Sequence, residues 1–165
     1  MYQFKVMKIN IIVAVAENNA IGKNNQLLWH ISDDLKRFKK LTSGKTVVMG
    51  RLTYLSLPNG ALPNRRNIVI TDCSSDCCPG AEKVSSIEEA LKLFAPEDEI
   101  FIIGGGMIYK QFLPFADKIF LTKVHKTYDA DVFFPEIDMS KWKIIDEEHH
   151  LENDPPYSYL ILEKR

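Results

Sequence analysis

The chain has 165 residues, with 21 lysine and arginine residues against 22 aspartate and glutamate residues, and a formal net charge of −1. Hydrophobic residues make up 45% of it and charged residues 26%, which excludes a disordered or fibrous protein. The balanced charge argues against nucleic-acid binding and against attachment to an anionic membrane, because both need a strongly basic face. No apolar run reaches the roughly 18 residues of a membrane span, so we expect one globular domain over residues 1–165.

Short apolar runs that predict strands buried on both faces begin soon after the amino terminus. Met7 offers a second start, in which case residues 1–6 form an N-terminal extension. The predicted buried strands cover residues 9–16, 46–49, 68–70, 100–103 and 119–124. Two longer segments, 142–150 and 157–163, flank an Asn-Asp-Pro-Pro turn and predict an antiparallel pair near the carboxyl end.

Helical patterns alternate with these strands. Ser32 is a good N-cap for the first helix, whose first turn contains two aspartates. Ser86 and Glu89 predict a capping box before an apolar stripe at positions 87, 90, 91 and 94. A third helix begins near Gly106 and ends around Pro114. The alternation predicts an α/β fold with a central, mainly parallel sheet, an antiparallel C-terminal strand and flanking helices.

The three cysteines, Cys73, Cys77 and Cys78, lie in one short segment, CSSDCC. An odd, local cluster does not form a disulfide framework, and its spacing lacks the paired CxxC pattern of a zinc site. We therefore expect free thiols in a surface loop, no metal, and a reducing compartment such as the cytoplasm.

The side chain of Asp34 faces the apolar side of the first helix. An α-helix advances about 100° per residue, so Asp34 lies about 40° from Phe38 around the axis, whereas Asp33 lies about 140° away. A buried carboxylate is costly unless it is paired or binds something, and Phe38 occupies the i+4 position where a cation would pair with it. The pattern leaves two interpretations open, a ligand-binding carboxylate and a hydrogen-bonded structural one.

Two strand-to-helix junctions contain glycine, at residues 47–51 (VVMGR) and 102–109 (IIGGGMIY). At the carboxyl ends of parallel strands, glycines let the backbone approach a phosphate, which the helix N–H groups stabilise. The second junction is not a GxGxxG motif, because Tyr109 stands at the last glycine position. For the second junction the alternative is a tight turn that needs positive φ angles. For the first junction the alternative is that Arg51 is simply solvated instead of binding a phosphate.

The four histidines offer no catalytic pattern. His30, His125, His149 and His150 are expected to be solvated, and no Ser/His/Asp arrangement or metal cluster is evident. This favours chemistry supplied by a cofactor.

Taken together, the motifs resemble those of bacterial dihydrofolate reductases over nearly the whole chain, from Ile9 to Arg165. In chain order they are the apolar strand with Ala14, Ala-Ile-Gly at 20–22, Leu27 and Trp29 before the first helix, Asp34 in D-L-x-x-F-K, VVMGRLTY at 47–54, L-P-x-R ending at Arg65, the glycines at 104–106 with Tyr109, Thr122, and D-x-x-F-P at 131–135. Their order and spacing are more specific than any one of them. The resemblance implies an eight-stranded sheet and reduction of 7,8-dihydrofolate to tetrahydrofolate by hydride transfer from NADPH.

The same resemblance implies a substrate site around Asp34. This carboxylate would bind the pterin 2-amino group and the adjacent ring N–H, since two neighbouring donors match its two oxygens. Thr122 would sit behind it through water, and Arg65 would bind the α-carboxylate of the glutamate tail. The catalytic set would be Asp34, Leu27, Trp29 and Thr122. The folate pocket would be lined by Ile12, Ala14, Leu35, Phe38, Leu57, Leu62, Ile103 and Tyr109.

The implied cofactor site is larger, and residues 22–29 would form a mobile lid over the nicotinamide. The cofactor-binding residues would be Ala14, Ile21, Gly22, Gly50, Arg51, Leu52, Thr53, Thr71, Asp72, Ile103, Gly104, Gly105, Gly106, Met107, Ile108 and Tyr109. Three positions depart from the common pattern. Leu28 replaces a proline, and Asp72 and Met107 leave fewer cations near the cofactor's 2′-phosphate.

Two rival interpretations remain, a related pterin or pyrimidine reductase on the same fold and a catalytically silent nucleotide-binding module. Asp34 and Arg65 argue against the first, because they suit a pterin head and a glutamate tail. Asp34 also argues against the second, because a protein that only binds a dinucleotide has no need of it. The expected state is a cytoplasmic monomer with a small-molecule substrate and with no nucleic-acid or membrane partner.

Overall fold

The computed structural model describes residues 7–24, 27–72 and 78–165. Its strands are β1 (Lys8–Ala16), β2 (Ala20–Gly22), β3 (Thr46–Gly50), β4 (Arg66–Ile70), β5 (Ala81–Val84), β6 (Glu99–Gly104), β7 (Lys118–Val124), β8 (Val132–Phe133), β9 (Trp142–His150) and β10 (Tyr157–Lys164). Its α-helices are α1 (Ser32–Thr42), α2 (Arg51–Ser56), α3 (Ile87–Leu93) and α4 (Gly106–Phe112), and a 3₁₀ turn covers Leu113–Phe115. The first six residues and the segment with Cys73 and Cys77, for which an extension and surface thiols were predicted, lie outside the described residues.

Eight strands form one sheet in the order β5-β4-β3-β6-β1-β7-β10-β9. The pairs from β5 to β7 are parallel, and β10 runs antiparallel to both β7 and β9. The predicted mainly parallel sheet with an antiparallel C-terminal strand is therefore confirmed. Because the parallel strands share one direction, the junctions that follow β3 and β6 lie next to each other, at the carboxyl ends of the strands.

The sheet separates two apolar clusters. In β1, Ile11 and Val13 belong to one cluster and Ile12 to the other, as the alternation of side chains along a strand requires. Residues of α3 and α4 pack in the first cluster, and residues of α1 and α2 pack in the second. Helices therefore cover both faces, which explains why the central strands read as continuous apolar runs.

Three short strands were missed by the sequence analysis. Strands β2 and β8 have three and two residues and pair with each other in a separate antiparallel ribbon. Strand β5 contains Glu82 and Lys83, both exposed, and it lies at the edge of the main sheet. Segments this short or this polar carry no apolar periodicity, so local pattern cannot detect them.

Helix boundaries correct two of the predicted caps. Ile31, and not Ser32, is the N-cap of α1, and its carbonyl accepts hydrogen bonds from the N–H groups of Asp34 and Leu35. The serine cap of α3 is confirmed, because the Glu89 N–H donates to Ser86 Oγ over 3.1 Å. The Glu89 carboxylate, however, accepts the N–H of the preceding residue, at position 85, over 2.8 Å. The Glu89 carboxylate therefore caps the N–H of Ser85, and not the N–H of Ser86 as the predicted capping box requires.

Cys78 is the one cysteine among the described residues, and it is half-buried against the cluster that contains Ile12. No helix within the described ranges is long and apolar enough to cross a membrane.

Candidate active site

Asp34 and Thr122 form the centre of the candidate site. Thr122 Oγ1 donates a hydrogen bond to Asp34 Oδ1 over 2.6 Å, from a threonine that is 3% exposed on β7. The contact is direct, which corrects the prediction of an intervening water. Among the described residues this is the one hydrogen bond to the Asp34 side chain, so the second carboxylate oxygen is available to a ligand.

Burial dominates the electrostatics of Asp34. Burial raises the pKa of the carboxyl above its usual range, while the Thr122 hydrogen bond and the positive charge of Arg37 lower it. A carboxylate in this environment is poised to accept hydrogen bonds from a ligand and to support proton transfer to it. Of the two interpretations left open for Asp34, the geometry therefore favours the ligand-binding one.

Apolar side chains predicted for the folate pocket lie on the same face of the sheet as Thr122. Ile12, Phe38, Leu57, Leu62 and Ile103 pack in one cluster. Ala14 is half-buried, and the register of β1 and β7 places it beside Thr122. Leu35 is largely exposed on α1 and is outside the cluster.

Tyr109, in α4, lies next to the site, although it packs in the apolar cluster on the opposite face of the sheet. Its hydroxyl donates to the carbonyl of Ile12 over 2.9 Å, and its ring packs against Phe134. Burial, with the nearby Asp34 charge, raises its pKa far above the usual range. Tyr109 is therefore neutral and fixed in position, and it closes one side of the site.

The two glycine junctions are brought together because Met49 of β3 pairs with Gly104 of β6. Gly104 has a φ of +128°, and a Cβ there would lie 3.3 Å from Thr53 Oγ1 and 3.4 Å from the Tyr109 hydroxyl. A turn that needs positive φ thus accounts for this glycine, but not for Gly50, whose φ is −83°. Gly50 is explained by packing, because a Cβ on it would lie 3.1 Å from Ile108 Cγ1.

The other residues predicted for the cofactor differ in exposure. Arg51 and Leu52 are exposed in the first turn of α2, and Met107, 67% exposed, lies in the first turn of α4. Thr71 is buried directly after β4, and Asp72 follows it at the surface. Ile21 and Gly22 are half-buried in β2. All except the β2 residues come after parallel strands of the main sheet, at the same carboxyl ends of the strands as the glycines.

Arg65 is held beside the C-terminal end of α1. Its Nη1 donates to Thr42 Oγ1 and its Nε to the carbonyl of Pro63, each over 2.9 Å. Partial burial lowers the pKa of Arg65 below its usual range, although the group stays charged. Within the described ranges no carboxylate lies at ion-pair distance from it, so this guanidinium is available to an anionic ligand.

The predicted lid is tied at its start to residues 128–131. The Asn24 N–H donates to Asp131 Oδ2 over 3.0 Å, the Asp131 N–H donates to the Gly22 carbonyl over 3.0 Å, and Lys23 forms an ion pair with Asp129. Residues 25 and 26 lie outside the described residues.

Beyond that gap, Leu27 is 70% exposed, and the Trp29 ring packs against Tyr128 with centroids 5.3 Å apart. The lid flanks therefore contact residues 128–131, of which the sequence analysis had selected only Asp131. Asp129 and Tyr128 were missed because loop-to-loop contacts leave no periodic signal.

The histidine prediction was wrong for His125 and His150, which are half-buried, whereas His149 is exposed as expected. The His150 ring stacks on Tyr157 with centroids 4.7 Å apart. His125 is bonded through Nδ1 to Glu17 and through Nε2 to Ser158 Oγ, over 3.0 and 2.8 Å. His149 Nδ1 lies 2.7 Å from the same hydroxyl. The register of β10 against β7 and β9 produces this shared contact, and no local pattern could reveal it.

Sequence reasoning also missed Arg37 and Tyr159 near Asp34. The guanidinium carbon of Arg37 lies 4.2 Å from the centroid of the Tyr159 ring. The signal for Arg37 was its i+3 spacing from Asp34, which places both on one side of α1.

Comparison with known proteins places the chain in a family. A family model described as dihydrofolate reductase matches residues 8–164. The dihydrofolate reductase of Bacillus subtilis (strain 168) is 40% identical over 160 residues, with 95% of each chain covered. That of Neisseria gonorrhoeae is 48% identical over 138 residues, covering 84% of this chain and 85% of the relative. A solved structure, dihydrofolate reductase from Enterococcus faecalis complexed with NADP(H) and RAB-propyl, has a TM-score of 0.87 and 31% identity, and covers 100% of this chain and 99% of that one. The chain belongs to the dihydrofolate reductase family.

Proposed function

We propose that this chain reduces 7,8-dihydrofolate to 5,6,7,8-tetrahydrofolate with NADPH and so supplies tetrahydrofolate for one-carbon metabolism. The observation that carries the proposal is the Asp34 carboxylate, half-buried, hydrogen-bonded to Thr122, and beside an apolar cluster on the same sheet face. Membership of the family, and the names of the relatives, support the same activity.

Asp34 binds the pterin ring. The ring presents a 2-amino group next to a ring N–H, and a carboxylate can accept both hydrogen bonds in parallel. Thr122 holds Oδ1 from behind and thereby fixes the plane of the carboxylate. The apolar cluster with Ile12, Phe38 and Leu57 excludes water from the ring faces and strengthens this polar contact.

Asp34 also promotes protonation of N5. Reduction of the C6–N5 double bond adds a hydride at C6 and a proton at N5, and the proton must come from an acid or from water. The Asp34 carboxylate, half-buried beside the ring, stabilises the positive charge that protonation at N5 places on the pterin, and water supplies the proton. Held on the amino edge of the pterin, it acts on N5 through the ring and through water, and it forms no covalent bond.

The residues at the sheet edge fit NADPH. At Gly104 a Cβ would lie a tight 3.3 Å from Thr53 Oγ1, whereas at Gly105 it would lie at an ordinary 3.5 Å from the same atom. Because neither glycine carries a side chain, the backbone there is open to a ligand. Arg51 supplies a cation at the start of α2, suited to the 2′-phosphate. When bound, NADPH supplies the hydride. Thr53 Oγ1 and the Tyr109 hydroxyl both lie next to Gly104 and limit the space there.

Arg65 binds the α-carboxylate of the glutamate tail. Its contacts with Thr42 and Pro63 fix the guanidinium on the side of α1 that carries Phe38, because Thr42 Oγ1 in turn donates to the Phe38 carbonyl over 2.8 Å. The remaining N–H donors can form a bidentate pair with a carboxylate. The pterin and tail sites are therefore connected through α1.

The enzyme acts as one domain over residues 1–165, as a monomer in the cytoplasm, without a nucleic-acid or membrane partner. The net charge of −1 supports the absence of polyanion partners, and the continuous eight-stranded sheet supports one domain.

The test follows the loss of reduced-nicotinamide absorbance with NADPH and dihydrofolate, and in parallel with pyrimidine or carbonyl substrates. Reduction of dihydrofolate that falls by orders of magnitude in Asp34→Asn supports the proposal. Preferential reduction of another substrate would favour the related-reductase alternative. Binding of NADPH without turnover would favour the nucleotide-binding module.

A further inference from the structure

The Arg37 side chain is seated on an aromatic ring next to Asp34. Its guanidinium carbon lies 4.2 Å from the centroid of Tyr159, and that tyrosine is 7% exposed. A cation over an aromatic face is attracted by the negative π surface, more strongly where water is excluded. The ring therefore fixes where the Arg37 charge lies.

The location of this charge is set by two neighbouring strands. Tyr159 of β10 pairs in register with Thr122 of β7, and Thr122 donates to Asp34. Arg37 follows Asp34 by three residues, about 300° around α1, so the two side chains lie about 60° apart. Strand β7 thus holds the carboxylate and strand β10 holds the cation.

Arg37 acts on Asp34 without an ion pair at contact distance. Burial raises the pKa of Asp34, and two effects oppose it, the Thr122 hydrogen bond and then the Arg37 charge. Within the described part of the chain, the other titratable groups that act on Asp34 are the hydroxyls of Tyr159 on β10 and Tyr109 on α4. Burial raises the pKa of both tyrosines, so both are neutral, and Arg37 is the cation that opposes the burial of Asp34 there.

The hydroxyl of Tyr159 does not hold Arg37 in place. It is buried without a well-formed hydrogen bond, and the neighbouring Tyr157 side chain only helps burial to raise its pKa. An unsatisfied buried hydroxyl is unfavourable. The ring, and not the hydroxyl, is therefore the part of Tyr159 that matters to Arg37.

We propose that Arg37, seated on the ring of Tyr159, is a positioning residue that keeps Asp34 ionised while it is buried. A direct ion pair would occupy the second oxygen of Asp34, which the pterin needs. A cation held by the ring supplies the charge and leaves that oxygen available. The effect on turnover rests on the proposed function of Asp34, but the effect on its ionisation does not.

The experiment titrates the Asp34 carboxyl directly in the ligand-free protein. Carbon NMR of the labelled carboxyl, assigned by its loss in Asp34→Asn, gives the midpoint pH. We expect Arg37→Gln to raise the midpoint and Arg37→Lys to restore part of the shift. The matched control is Lys36→Gln, which removes the same charge from an exposed residue about 200° from Asp34 and is expected to leave the midpoint unchanged.

Two Tyr159 variants separate the ring from the hydroxyl. Tyr159→Phe keeps the seat for Arg37 and is expected to titrate like the parent protein, whereas Tyr159→Leu is expected to titrate like Arg37→Gln. An unchanged midpoint in Arg37→Gln, or an equal shift in Lys36→Gln, would overturn the proposal. So would a shift in Tyr159→Phe as large as that in Arg37→Gln. The Arg37 variants decide the outcome even where Tyr159→Leu does not fold.

A kinetic arm measures KM for dihydrofolate against pH. In Arg37→Gln we expect roughly a threefold or larger rise in KM at the acid end and little change above neutral pH, because fewer Asp34 groups are ionised in acid. A raised NMR midpoint with an unchanged KM profile would uphold the role of Arg37 and reject the proposed role of Asp34.

Discussion

Thr122 Oγ1 and Asp34 Oδ1, 88 residues apart in the chain, are joined by a hydrogen bond of 2.6 Å. A threonine hydroxyl is a neutral donor, so it orients the carboxylate without cancelling its charge. A lysine or arginine in its place would form an ion pair and leave no charge for a ligand. The hydrogen bond from Thr122 therefore fixes the position of the Asp34 carboxylate and leaves its negative charge available to a ligand.

Replacing Thr122 by valine keeps the shape of the side chain and removes the donor. Because the hydroxyl stabilises the ionised carboxyl, its loss should raise the pKa of Asp34 further. Hydrogen bonds to charged groups are worth about 1.5–3 kcal/mol, so kcat/KM for dihydrofolate should fall about tenfold or more. Thr122→Ser retains the hydroxyl and should remain near the parent value. Equal losses in the two variants would indicate a packing role instead.

Replacing Asp34 by asparagine should change activity and stability in opposite directions. Loss of acid–base assistance is worth roughly 10²–10⁴ in rate, so hydride transfer at neutral pH should fall by about that factor. Acid should restore part of the rate, because dihydrofolate protonated beforehand needs less help. The pH profile of the hydride-transfer rate in both proteins tests this.

The stability effect follows from the direction of the pKa shift. The folded-state pKa of Asp34 is raised, so the folded protein binds the proton more tightly than the unfolded chain does. That contribution is fully present below the ordinary pKa and is lost as pH rises through the folded value. At neutral pH the buried charge destabilises the ligand-free protein, and Asp34→Asn should raise Tm by about 2 °C or more. The gain should vanish in acid, and a gain independent of pH would contradict the electrostatic cause.

Arg65 should discriminate between substrates with and without a glutamate tail. Truncating one partner of a desolvated charge pair costs about 2–5 kcal/mol, so Arg65→Leu should raise KM for dihydrofolate at least about tenfold. A dihydropterin without the tail should be almost unaffected. Arg65→Lys keeps the charge but not the planar fork, and it should give an intermediate KM. If the tail-less substrate loses as much, Arg65 acts on the fold through Thr42.

Arg51 should set the preference between the two nicotinamide cofactors. It is the exposed first residue of α2, directly after the glycine that packs against Ile108. If it meets the 2′-phosphate, Arg51→Ala should raise KM for NADPH about tenfold and leave KM for NADH almost unchanged. Reversing the sign of the neighbouring charge in Asp72→Lys should strengthen NADPH binding. Equal effects of Arg51→Ala on both cofactors would assign Arg51 elsewhere.

The local sequence pattern was sufficient to predict the central strands and to predict that Asp34 points inward. The apolar runs are long because helices cover both sheet faces, and helix periodicity places Asp34 and Phe38 on one side of α1. Both features depend on residues close together in sequence. The glycine of β6 was also recognisable, although its role required the φ of +128° at Gly104.

Contacts between distant strands could not be predicted in the same way. The Thr122–Asp34 bond and the Arg37–Tyr159 contact both depend on the register of β7 against β1 and β10. Register is decided by the whole sheet, and a slip of one residue would turn each side chain to the other face. The shared Ser158 contact of His125 and His149 was missed for the same reason.

Gly106 should tolerate no side chain while Val132 is present. A Cβ on Gly106 would lie 2.7 Å from Val132 Cγ1, so the start of α4 and strand β8 would have to separate. Overpacking typically costs about 1–3 kcal/mol, and Gly106→Ala should lower Tm by several degrees. The neighbouring Gly105→Ala is the matched control for stability, because its Cβ would lie 3.5 Å from Thr53 Oγ1, an ordinary contact.

Val132→Ala removes the clashing methyl groups, so the double variant should recover most of the Tm lost in Gly106→Ala. Thermal unfolding of the four proteins in a double-mutant cycle measures that coupling. Additive losses, with no recovery, would mean that Gly106 is required for a reason other than its contact with Val132.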